Sequence, residues 1–230
     1  MKRSLFLVAL VLAAPSLQAQ ATVADDGSLT LIRAGDRIGR EDFSIRHVPT
    51  TAGAFETLTR GVVVAGTRRI TVDLSTDSIG LPVRYQFKST DDGRSGDIYR
   101  AEVVGHRYSA RVVRTTGEAA RELLLPAGTL IVEDGVLHPL QFVVARGAGS
   151  VPAVVPSRGV VVRLTVEEAG ADRVSIALQS IAARRYLVRE AGGTLLREVW
   201  VDAAGHLLKV SVPSQQLVAV RDDAPRSASR

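Results

Sequence analysis

The stretch "LPVRYQFKSTDDGRSGDIYRAEVVGHRYSARVVRTTG", Leu81–Gly117, decides the architecture. Leu81, Val83, Tyr85 and Phe87 alternate with Arg84, Gln86 and Lys88, and Tyr108, Ala110 and Val112 alternate with Arg107, Ser109 and Arg111. Strict alternation marks strands with one buried and one wet face, the habit of antiparallel sheets. Gly93, Gly105 and Gly117 stand twelve residues apart, the beat of consecutive hairpins. No stretch between them is long enough for a helical crossover, so a parallel α/β sheet is excluded here.

The same pattern extends both ways. Ile70, Val72 and Leu74 alternate with Arg69, Thr71 and Asp73; Val160, Val162, Leu164 and Val166 with Arg163, Thr165 and Glu167; Val174, Ile176 and Leu178 with Ser175 and Gln179. Turns are expected at Asp134-Gly135, Ala169-Gly170, Gly192-Gly193 and Ala204-Gly205. In "GDRIGRE", Gly35–Glu41, a tight turn is expected at Gly35 and a bulge or close backbone approach at Gly39. One segment departs from period two. Leu137, Leu140, Val143 and Val144 fall at helical spacing, and Pro139 suits a first helical turn, so a short helix is expected over His138–Arg146. The β-branched Val143 and Val144 keep a strand as the alternative.

The expected fold is mainly β: an antiparallel up-and-down meander curved into an open half-barrel with one short plug helix. It occupies residues 22–221 as a single domain, with a helix and loop break at about 137–158. The tail Asp222–Arg230 has nothing to bury and is expected to be disordered. A one-sided sheet must cover its apolar face. The cover visible in the sequence is the short apolar segment near Phe142, which implies an apolar concavity.

The N-terminus "MKRSLFLVALVLAAPSLQAQA" has basic Lys2 and Arg3, an apolar run Leu5–Ala14 and small residues at Ala19 and Ala21. This is the pattern of a secretory signal peptide, assigned to residues 1–21, and the run is too short to span a bilayer. A periplasmic or secreted protein without a stable membrane anchor is expected. The chain has no cysteine, which removes disulfides, thiolate metal sites and cysteine nucleophiles. Net charge is +5, but the arginines are dispersed among apolar residues instead of clustered with aromatics. Nucleic acid is therefore an unsuitable partner.

No catalytic set assembles. His47, His106, His138 and His206 contain no H-x-x-x-H or H-x-H pair, G-x-S-x-G and S-x-x-K are absent, and Asp91-Asp92-Gly93 lacks the ligand spacing of a calcium loop. No metal, no cofactor and no enzymatic activity are expected; an esterase or glycosidase would need residues that converge only in the fold. In "EVWVDAAGHLLKVSVP", Glu198–Pro213, Asp202 and Gly205 are read as the tip of a hairpin. A register placing Asp202 opposite His206 puts Trp200 opposite Leu208 and Glu198 opposite Val210. Trp200, Leu208 and Val210 then share an inward face with Leu196 and Val212.

Three segments, "AGDRIGREDFSIR" (Ala34–Arg46), "EDGVLHPLQFVVAR" (Glu133–Arg146) and "VWVDAAGHLLKVSVPSQQLVAVR" (Val199–Arg221), together resemble exported bacterial β-meander proteins of unknown function. In that group the sheet curves into an unclosed barrel, as in the lipoprotein-carrier superfamily. The resemblance implies a periplasmic half-barrel with a helical plug and a hydrophobic concavity. The cysteine of that superfamily's membrane-anchored acceptor has no counterpart here.

The expected function is non-enzymatic binding or carriage of a hydrophobic ligand, a lipid or acyl chain, on the concave face. Tyr85, Phe87, Tyr99, Phe142, Trp200, Leu208 and Val210 are the expected lining. The competing expectation is an envelope scaffold or protein-interaction module without a ligand cavity.

Overall fold

Every hairpin expected over Leu81–Gly117 forms, and the same zigzag continues through the chain. The structure is a computed structural model that describes residues 21–50, 54–193 and 196–226. Apart from Ala21, the expected signal segment lies outside the described residues, as do tail residues 227–230. The first half comprises β1 (Thr22–Arg33), β2 (Asp36–Pro49), β3 (Phe55–Ala65), β4 (Arg68–Thr76), β5 (Pro82–Asp91), β6 (Arg94–Val104), β7 (Arg107–Arg114) and β8 (Gly117–Leu124). After β9 (Leu130–Ile131) and α1 (Leu140–Val144) come β10 (Gly149–Val155), β11 (Val160–Ile176) and β12 (Gln179–Glu190). The chain ends with β13 (Leu196–Val201), β14 (Leu207–Val212) and β15 (Leu217–Arg221).

These fifteen strands make one open sheet, ordered β8-β7-β6-β5-β4-β3-β2-β1-β15-β14-β13-β12-β11-β10-β9. Neighbours are antiparallel except β9 and β10. The seam is the β1–β15 pairing, Leu29 opposite Arg221 through Arg33 opposite Leu217, which joins the two meanders. The sheet does not close: β8 and β9 are its edges. The free ends nevertheless approach through side chains, Arg114 donating to the Ser157 carbonyl at 3.3 Å.

Gly35 has φ +94° in the β1–β2 turn, and a Cβ at Gly39 would collide with the Val64 carbonyl on β3. Both glycines thus do what their spacing suggests. The helix is shorter than expected: α1 covers Leu140–Val144, with His138 and Pro139 in the turn before it.

The cover over the concave face is much larger than that helix. The chain leaving β8 runs back beneath the sheet, burying Leu125, Leu130, Ile131, Val132, Val136 and Leu137 before α1 buries Leu140, Val143 and Val144. Each such aliphatic side chain contributes about 1.5–3 kcal/mol on leaving water. The concavity is therefore filled by a strap that sequence periodicity did not reveal, because its apolar residues follow neither period for long.

Two features correct the expected register. Ala169-Gly170 is a bulge inside β11, between Glu168 and Ala171, and not a turn. The turn comes later, at Ala177 and Leu178, both with positive φ (45° and 68°). Past the bulge the β11–β12 hairpin bends outward and packs a second, smaller cluster: Val174, Ile176, Ala183, Trp200 and Leu208. A further shift between Trp200 and Val201 pairs Trp200 with Lys209 and Val199 with Val210. A bulge moves every later side chain to the other face, so Trp200 and Leu208 point outward while Val210 joins the main core.

An apolar groove at the mouth of the sheet as candidate functional site

The strands end at two rims of different chemistry. At one rim, here called the mouth, the starts of β1 and β3, the end of β2, the β4–β5 turn and the β13–β14 turn surround the end of α1. They enclose an open groove of about 460 Å³, lined mainly by apolar surface. This volume falls in the range of small-molecule sites. Ile45 and Leu130 lie in its depth, buried; Phe142 of α1 forms one wall; Phe55 (41 % exposed) and Ile79 (67 % exposed) stand at its lip. Their exposed surfaces add to the apolar lining of the groove.

The wall is fixed in place by a buried polar pin. Glu41 on β2 and His138 before α1 are both 0 % exposed, with Glu41 Oε1 2.6 Å from His138 Nδ1. The Glu41 carboxylate also accepts the backbone N–H of Leu137 at 2.9 Å and of His138 at 2.9 Å. Those amides precede the helix and have no partner within it. The His138 ring stacks on Phe43 (5.7 Å between centroids, 6° between planes) and lies over Gly61, where a Cβ would collide with it. Gln141 then donates to the His138 carbonyl at 3.1 Å. Sheet residues on β2 and β3 thus set the position of α1, and with it Phe142 and Arg146 at the groove.

A second buried carboxylate holds the far end of the strap. Glu133 accepts Tyr85 O–H at 2.9 Å, Ser157 N–H at 3.2 Å and Asp134 N–H at 2.9 Å. Burial holds its carboxyl above the ordinary range, partly offset by those donors. Burial, with Glu133 beside it, likewise pushes the Tyr85 hydroxyl well up. At this far rim Arg158, Arg197, Asp134 and Glu190 form ion pairs around a depression of about 410 Å³ of mixed polar and apolar lining.

The mouth carries three more polar devices. Asp25 receives both Arg221 Nη1 (3.0 Å) and Nη2 (2.8 Å), a buried bidentate pair. Asp202 accepts the Ala204 and His206 amides at 2.9 Å each and sits 2.8 Å from His206 Nδ1. That hairpin tip is closed upon itself, as the turn reading expects. His47 pairs through Nδ1 with Thr57 Oγ1 at 3.0 Å beside the Phe55 ring.

The seven expected lining residues separate into three places. Tyr85, Phe87, Tyr99 and Val210 are core residues; Phe142 lines the mouth groove; Trp200 and Leu208 belong to the outer cluster. Trp200 Nε1 donates to Asp172 at 2.7 Å, holding that carboxyl below its usual range, and Lys209 lies 4.4 Å from the ring centroid. Sequence reasoning missed Ile45, Phe55 and Ile79 at the groove, and Glu41 and His138 behind it. Glu41 shares strand parity with Phe43 and Ile45, a charge in the buried phase, which was the available signal.

Among the described residues no cluster of three or more His, Asp or Glu could hold a metal ion, and no helix is long and apolar enough to cross a membrane. No protein-family model and no curated protein matches the chain. Among solved structures the chain is similar to the crystal structure of a β-barrel-like protein of the domain of unknown function DUF1849 from Brucella abortus, at 12 % identity. The match covers 90 % of this chain and 98 % of that one, with a TM-score of 0.58. At that identity the likeness is one of fold: a barrel-like, largely antiparallel sheet.

Proposed function

We propose that this is an exported, non-enzymatic protein that binds a hydrophobic ligand, a lipid or acyl chain, at the mouth of its half-barrel. The observation that carries this reading is the groove: about 460 Å³, walled by Phe142 on a pinned helix and left with Phe55 and Ile79 exposed. The site moves from the concave face, which the strap fills, to the rim where the strap ends. The signal-like N-terminus supports a periplasmic or secreted location. The three quoted segments resemble exported β-meander proteins of unknown function, and the apolar groove itself supports a ligand of lipid character. Native mass spectrometry of protein purified from the cell envelope, followed by solvent extraction, tests it. The reading expects a lipid adduct that an Ile79→Asp, Phe142→Ser variant loses; an adduct-free protein that takes up no lipid on incubation would defeat it.

An envelope interaction module remains the second reading, and one observation favours it. Among the described residues the edge strand β8 pairs on one side alone, and its last residue, Leu124, is 80 % exposed. An unpaired edge can accept an added strand. Cross-linking from β8 in cells would capture a defined envelope protein under this reading and none under the first.

A further inference from the structure

The charges around the mouth groove are almost all spoken for within the protein. Asp25 is neutralised by Arg221 in a buried pair, and Asp77 turns Oδ1 onto the Ile79 and Leu81 amides at 3.1 and 2.8 Å. Asp202 is occupied by its own turn and by His206. Arg146 differs. It follows α1 at the groove wall and donates Nη2 to the carbonyls of Ile79 and Gly80, at 3.3 Å each. Among the described residues it makes no ion pair, and the guanidinium's other N–H donors stay available.

Position adds to charge. Arg146 lies in the turn just past the end of α1, and both it and Phe142 line the groove. Its carbonyl contacts fix it beside Ile79, the most exposed apolar residue of the lip. An apolar wall thus stands in the same groove as a planar cation whose fork matches a carboxylate or phosphate. We infer that the ligand of this groove is a single-chain anionic amphiphile, its chain against Phe142 and its carboxylate or phosphate head on Arg146. The inference rests on the hydrophobic-ligand reading above and specifies the class of ligand.

Three probes with the same oleoyl chain separate the two claims: oleate, oleoyl lysophosphatidate and uncharged monoolein. Each is titrated calorimetrically, below its micelle-forming concentration, into the purified protein and into Arg146→Gln and Arg146→Lys variants. Arg146 is exposed, so its variants should keep the parent's unfolding temperature, and that is verified first. The anionic probes should bind about tenfold or more tightly than monoolein, the scale of a charge-assisted hydrogen bond. Arg146→Gln should lose that advantage while leaving monoolein within about twofold, and Arg146→Lys should retain part of it. The stronger of oleate and lysophosphatidate identifies the head group. Equal binding of all three probes, unchanged in Arg146→Gln, overturns the inference and leaves the hydrophobic-ligand reading standing. Binding of none of them overturns both.

Discussion

The two rims of the half-barrel are built from the same strands and differ in how their polar and apolar groups are matched. At the far rim, Glu133 is surrounded by three donors, and Arg158, Arg197, Asp134 and Glu190 answer one another. At the mouth, the polar groups are equally well matched, but Phe55, Ile79 and one arginine are not. A surface that satisfies its charges and leaves its hydrophobic residues exposed departs from what stability alone would select. The contrast places the proposed ligand site at the mouth, where Phe55 and Ile79 border an open groove, while the buried pins hold the fold.

Breaking the pin should have the largest effect. Glu41→Ala strands the His138 ring and the Leu137 and His138 amides without their acceptor. It should cost about 3–5 kcal/mol, the scale for removing one partner of a buried pair. Urea unfolding measures this, and a cost below 1 kcal/mol would remove the pin from the account. Gly61→Ala forces the same ring aside and should cost about 1–3 kcal/mol, again read from the urea midpoint.

The next effect sharpens the role of the mouth. Phe142→Ala should lower affinity for an acyl probe about tenfold, the scale of losing a buried aromatic contact, in a titration of the folded variant. If affinity holds, Phe142 is a structural wall only.

Glu133 gives a pH signature. Burial keeps its carboxyl protonated in the folded state at pH values where the unfolded chain has already released the proton, above the ordinary value of 4.5. Unfolding then releases protons, so this residue's contribution to stability declines as pH rises from 4.5 through the folded-state value. The stability of Glu133→Gln relative to the parent should therefore improve over that rise, whatever constant offset the lost hydrogen bonds impose. Parallel pH profiles for the two proteins would contradict it.

The smallest effects are expected away from both pins and groove. Arg107 and Glu122 are an exposed pair at 3.5 Å. Glu122→Gln should cost no more than about 1 kcal/mol by thermal unfolding, as exposed pairs do. Trp200, the single tryptophan, is buried in the outer cluster. Its emission should stay unchanged when an acyl ligand fills the mouth; a shift on binding would return it to the site.

What the sequence made legible follows from where its signals are local. The three hairpins from β5 to β8 declare themselves, because β5 and β7 alternate and each connection carries a glycine with positive φ, at Gly93, Gly105 and Gly117. The β11–β12 turn does not: Ala177 and Leu178 take left-handed φ without glycine or asparagine, and the nearby Ala169-Gly170 marks a bulge. One bulge in β13–β14 was enough to send Trp200 and Leu208 to the wrong face. The Glu41–His138 pin joins residues 97 positions apart, beyond any spacing rule. The sequence reads Phe142 as lining of the concave face because it lies on the covering segment, and the structure places it at the mouth groove instead. Phe55 and Ile79 escape the sequence reading, since each stands at a strand end or in a turn where alternation fails.

The central claim is that the acyl chain occupies the mouth groove against Phe142. Anomalous diffraction from a crystal of the complex with a fatty acid brominated along its chain tests it most directly. The account predicts a bromine peak between Phe142 and Phe55, with the head group within hydrogen-bonding distance of Arg146. A peak beneath the sheet among Tyr85, Phe87 and Tyr99, or an empty groove in crystals saturated with the ligand, would contradict it.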